Sequence, residues 1–180
     1  MKKYILFFCC LCLVQSCGNP LTTSSSEEKQ TSWENYFAQA FHKMSKRQEP
    51  QKTVTINGQT ETGRISLDSS GWSEELSFFT KNNIDKPSWE GSFTIDTTIV
   101  ADTIIIEYNR TIEKIPVKKA IIKKIDKDVI YYERLLERSN PISGLKRRLV
   151  FEYPNRVMID NVEELLFLSD HHLKIVYQWD

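Results

Sequence analysis

Few side chains in this 180-residue chain have the type and spacing to do chemistry. The closest to a metal site is Asp170-His171-His172, since imidazole is the commonest metal ligand. Adjacent strand residues point to opposite faces, so the two rings could meet on one ion only in a turn. Turn chemistry around Asp170 predicts one there, but no second His/Asp/Glu cluster has the ligand spacing to complete a site. His171 and His172 are therefore weak candidates, no metal or cofactor is expected, and His42 reads as an exposed helical residue. Glu133, Glu137 and Glu152 sit in strand-like runs and read as charged wet-face residues, not as a catalytic pair of defined separation. The chain has no G-x-S-x-G elbow, P-loop or G-x-G-x-x-G fingerprint beyond its leader, and no catalytic residue is assigned.

The remaining chemistry belongs to cysteine. Lys2 and Lys3 precede an apolar run over residues 4–14, then Gln15, the small residue Ser16 and Cys17, which is the layout of a secretory signal. The run is far short of the roughly 20 apolar residues a spanning helix needs. Val14-Gln15-Ser16-Cys17 resembles the lipobox of bacterial lipoproteins, with Gln15 larger than usual at its position. The resemblance implies cleavage after Ser16, a diacylglyceryl thioether on Cys17 and a further acyl chain, such as palmitate, on the new amino terminus. Two or more chains, at about 0.8 kcal/mol per buried CH₂, would hold the protein stably on a bilayer.

Cys9, Cys10 and Cys12 fall inside the segment removed. Only Cys17 would survive, acylated, which closes disulfide, thiolate-metal and thiol-nucleophile chemistry. The chain carries 24 basic and 24 acidic residues; without Lys2 and Lys3 the mature balance is slightly acidic, with no basic excess to track a nucleic-acid backbone.

Residues 1–16 thus read as signal peptide, 17–30 as lipidated cysteine and Ser/Thr-rich tether, and 31–180 as one α+β domain. Thr31 with Glu34 has the form of a capping box for a helix to about residue 46, whose Trp33, Phe37, Ala40, Phe41 and Met44 share a face beside Tyr36. Asn57-Gly58, between runs at 53–56 and 60–67, predicts a hairpin. A second amphipathic helix is expected over 72–82, capped by Ser70, with Trp72, Leu76 and Phe79 on one face. Strands follow at 89–96, 103–108, 117–125, 129–137, 145–153, 156–159, 163–168 and 173–179, separated by short turns such as Pro154-Asn155, Asp160-Asn161 and Asp170-His171-His172. Links this short allow antiparallel neighbours and exclude crossover helices. The expectation is two amphipathic helices on a long antiparallel meander of about 8–10 strands, curled towards a half-barrel, one face wet and one dry. Paired lysines and isoleucines over 117–125 break the alternation and suggest a bulge or an edge.

The lysines at 114, 118, 119, 123, 124 and 127 form the one charge asymmetry, read as a solvated or edge-guarding face rather than a site for anionic headgroups or glycan. Asp96-Thr97-Thr98 and Asp102-Thr103-Ile104 resemble the sequon of the general O-glycosylation system of Bacteroidota, which makes Thr97 and Thr103 candidate acceptors. Asn83-Ile84-Asp85-Lys86-Pro87 with Trp89 and Gly91-Ser92-Phe93, between a helix and a meander, resembles uncharacterised Bacteroidota envelope lipoproteins.

The leading functional expectation is a non-catalytic binding or accessory role on a membrane-anchored lipoprotein, the partner being another envelope protein, a lipid or a glycan. One alternative is a carrier of lipid or another hydrophobic ligand, its curled sheet used as in lipocalin-like and lipoprotein-receptor folds; a cell-wall or glycan hydrolase is the other. Gly18 in place of aspartate, and no acid before Glu27, point to the periplasmic face of the outer membrane over the cell surface.

Overall fold

A computed structural model describes residues 33–46, 49–81 and 84–179. Helix α1 (Trp33–Ser45) leads into a hairpin of β1 (Gln51–Ile56) and β2 (Gln59–Arg64). Two short helices, α2 (Ser69–Glu75) and α3 (Ser77–Thr80), and a 3₁₀ turn (Pro87–Trp89) follow. The rest is strand: β3 (Phe93–Val100), β4 (Thr103–Arg110), β5 (Val117–Ile125), β6 (Asp128–Asn140), β7 (Ser143–Glu152), β8 (Arg156–Leu165) and β9 (His171–Gln178).

All nine strands join one antiparallel sheet in the order β2-β1-β9-β8-β7-β6-β5-β4-β3. Strands β3 to β9 form an uninterrupted meander, and the β1–β2 hairpin adds to its last strand. The sheet is open, with β2 and β3 as its edges. The chain must therefore cross from one edge to the other between β2 and β3, and this link carries α2, α3 and the 3₁₀ turn over the face that α1 also covers.

Asn57 and Gly58 take φ of 49° and 87°, the left-handed pair that a two-residue hairpin turn of this hand requires. Ordinary alternation puts Ile122, Tyr132, Phe151, Val157 and Tyr177 in one row across β5–β9, all fully buried under the helices. Phe37 of α1, also fully buried, lies at the centre of that seam, with ring centroids of Tyr132, Phe79, Phe151 and Phe41 at 4.9, 5.4, 5.6 and 5.7 Å. Trp72 closes the other end against Tyr177 (5.4 Å) and Trp179 (5.6 Å).

The structure corrects several expectations. The stretch read as one helix over 72–82 breaks at Leu76 into α2 and α3, although Trp72, Leu76 and Phe79 are all buried as expected. Its cap is Asp68, not Ser70: the Asp68 carboxylate accepts from the Gly71 amide at 2.8 Å, leaving Ser70 within the first turn. Trp89 belongs to the 3₁₀ turn, and β3 starts at Phe93. Strand β5 has the expected bounds and the expected bulges, but it is an interior strand and not an edge. No turn falls at Asp160-Asn161; β8 runs through both. The wet face is also less wet than alternation implies, because Val150 and Met158 are buried there. Capping by Thr31 lies outside the described residues.

Candidate functional site

His171 and His172 open β9 instead of forming a turn, so successive side chains take opposite faces and do not converge. The connection lies earlier, at residues 166–170. His172 is committed to structure: its Nε2 is 2.7 Å from Asp160 Oδ1, its amide donates to Asn57 Oδ1 at 2.8 Å, and its carbonyl accepts from the Asn57 amide at 2.9 Å. Among the described residues no group of three or more His, Cys, Asp or Glu side chains could hold a metal ion. His42 is exposed in the last turn of α1.

The strand carboxylates sit in cross-strand ion pairs. Glu133 accepts from Arg148 Nε at 2.6 Å and from the Tyr131 hydroxyl at 2.5 Å. Burial alone would raise the Glu133 carboxyl, but the bonds from Arg148 and Tyr131 and the Arg148 charge outweigh it and hold the group below the usual range. Burial, then the bond to Glu133 and its charge, push Tyr131 up to about 12. Neither group is poised for proton transfer near neutrality. Glu152 meets Arg156 at 3.0 Å, and Glu137 meets Lys118 at 3.1 Å.

Nor do the lysines make one basic patch. Lys119 pairs with Glu107 at 2.8 Å, Lys123 lies over the Tyr131 ring and Lys124 over Trp33, on opposite faces of the sheet. Thr97 is exposed midway along the edge strand β3; Thr103 is half-buried at the start of β4. Ser16 and Cys17 lie outside the described residues.

Two polar clusters escaped sequence reasoning, both on the helix-covered face. In the first, the Glu75 carboxylate accepts from Lys52 Nζ at 2.8 Å and from the Tyr177 hydroxyl, tying α2 to β1 and β9. Burial works to raise Glu75, yet these two bonds and the lysine charge hold it below the usual carboxylate range. Burial and then the Glu75 bond raise Tyr177 well above an ordinary phenol.

The second cluster is basic. Arg134 is fully buried, and its Nη2 donates to the Phe78 carbonyl of α3 at 2.5 Å. Arg147 donates from Nε to Asn161 Oδ1 at 2.8 Å, with its guanidinium 4.5 Å from the centre of the Phe78 ring. Burial first, then the charges of Arg138 and Arg134, lower Arg147, against an opposing contribution from Glu163. The sequence did carry a signal for Arg134, since Tyr132, Arg134 and Leu136 share the parity that alternation assigns to the dry face. The cluster ties the sheet to α3, Arg134 through the Phe78 carbonyl and Arg147 by lying over the Phe78 ring.

No family model, curated protein or solved structure matches the chain.

Proposed function

We propose that this protein is a lipid-anchored envelope lipoprotein whose domain works by binding, as an accessory or interaction module, and not by turnover. The address rests on Val14-Gln15-Ser16-Cys17 and the leader before it. The role rests on one observation: the dry face of the sheet is already occupied by the chain's own helices, with Phe37, Phe79, Tyr132 and Phe151 at 0% exposure. Filled space of that kind supports an interaction module over a carrier, which would need room for an acyl chain between helix and sheet. The commitment of Glu75, Glu133, Glu137 and Glu152 to cationic partners supports the non-catalytic half of the reading. The outer membrane, periplasmic side, is the favoured location.

The test is fractionation of cells expressing the natural chain and Cys17→Ala. The natural chain should sediment with outer-membrane vesicles and partition into detergent, resisting protease added to intact cells. Cys17→Ala should leave that fraction. If both behave alike, the anchor reading is wrong. Enzyme-like turnover of envelope glycans by the purified protein would defeat the binding reading.

A further inference from the structure

At one end of the sheet four large apolar side chains face solvent: Ile142, Leu166, Phe167 and Leu168, exposed by 65, 64, 85 and 71%. They occupy two connections, β6 to β7 and β8 to β9, where turn chemistry ordinarily places Gly, Asn, Asp or Ser. Both connections are braced. Asn140 Oδ1 accepts from the amides of Ile142 and Ser143 at 3.0 and 2.9 Å, and the Leu166 amide donates to the Ile142 carbonyl at 3.2 Å, joining the two. A braced display of contiguous apolar surface is what soluble monomers avoid unless it meets something.

Charge and position identify what it meets. Charges of both signs interleave near the tip: Lys146 pairs with Glu164 at 2.5 Å and feels Glu137 and Asp170, while Arg147 feels Glu163 and Arg138. Such a mixed collar sets up no strong field of one sign, so recognition falls mainly to the apolar side chains. The chain enters the domain at the far end of β6: the Trp33 amide donates to Asp85 Oδ2 at 3.1 Å, and the Tyr36 hydroxyl to the Val129 carbonyl at 2.8 Å. Strand β6 spans thirteen residues, roughly 40 Å at the rise of an extended strand.

We propose that the tip formed by Ile142 and Leu166–Leu168 inserts into the bilayer to which Cys17 anchors the chain. The inference rests on the lipid-anchor reading above. Tethering keeps the tip at high effective concentration over that surface, so a modest apolar insertion suffices.

The experiment uses the full chain, exported and acylated in cells, then reconstituted in phosphatidylcholine vesicles, with an environment-sensitive fluorophore on Phe167→Cys. Lys127→Cys, exposed at the opposite end of the sheet, carries the same label as control. Acylation of Cys17 leaves the introduced cysteine as the reactive thiol. The label at 167 should shift to the blue and be quenched by acyl-chain quenchers at least threefold more than the label at 127. Adding anionic lipid should change this less than twofold. A label at 167 as wet as that at 127 overturns the proposal; so does a blue shift that persists without vesicles and tracks self-association, which would make the occupant a second copy. Intact mass of the same sample separates the two readings. Acyl mass with a wet label defeats the tip alone; no acyl mass defeats the anchor and the proposal with it, because Cys17 would then take up label as well.

Discussion

Replacing Phe37 with alanine tests whether the helices are part of the core or a lid over a binding space. Phe37 is fully buried, and six rings have centroids no more than 6.0 Å from its own, those of Trp33, Tyr36, Phe41, Phe79, Tyr132 and Phe151. Truncating a buried phenylalanine costs about 3–5 kcal/mol. Edge-to-face contacts of this kind add about 0.5–1.5 kcal/mol beyond area, which puts the expected cost near the upper end of that range. With a urea slope of roughly 2 kcal/mol per M for a domain of this size, the midpoint should fall by about 2 M. Urea unfolding followed by tryptophan fluorescence and by far-ultraviolet circular dichroism measures it; coincidence of the two curves licenses the comparison. Phe37→Leu should cost under about 1.5 kcal/mol, and the exposed control Phe167→Ala about 0.5 kcal/mol or less. A Phe37→Ala shift below about 0.5 M, no larger than the control's, would refute the filled-core argument and point to a helical layer that opens.

Acid stability should depend on Glu75. Because its folded carboxyl is held below the usual range, its contribution is present above the unfolded value of about 4.3 and is lost as pH falls through the folded one. Glu75→Gln should be less stable by about 0.5–1 kcal/mol at pH 7, the site being partly exposed, with the gap closing as the carboxyl is protonated in acid; a gap that widens on acidification contradicts the sign. Ala101 holds φ of 54° in the β3–β4 turn. Ala101→Gly should therefore stabilise by about 0.5 kcal/mol, the relief of left-handed strain exceeding the entropy a glycine adds to the unfolded chain, and a lowered melting temperature would show the turn to be built otherwise.

The sequence predicted elements best where local chemistry and tertiary demand coincide. Asn57-Gly58 needs positive φ and has the residues for it; Phe37, Phe41 and Met44 recur at helical spacing because one face of α1 meets the sheet. It misled where a partner on another strand overrides composition. Asp160-Asn161 looks like a turn, yet Asp160 pairs with His172 and Asn161 accepts from Arg147, which gives both side chains a place within a continuous β8. The true β8–β9 connection carries Leu-Phe-Leu, apolar enough to pass for strand. Arg134 shows the reverse failure: parity placed it on the dry face, but its carbonyl partner belongs to a short helix 56 residues away in sequence. Cross-strand ion pairs such as Arg148–Glu133 depend on register, which residue types alone do not fix.

The central claim, a lipid-anchored module with a closed core, is tested most directly by the mass of the native protein extracted gently from membranes, first intact and then denatured. The account predicts a polypeptide starting at Cys17 with diacylglyceryl and acyl groups attached, the same covalent mass before and after denaturation, and any glycan on Thr97 or Thr103 as a further covalent increment. An unacylated chain, or a noncovalent lipid released on denaturation, would contradict it.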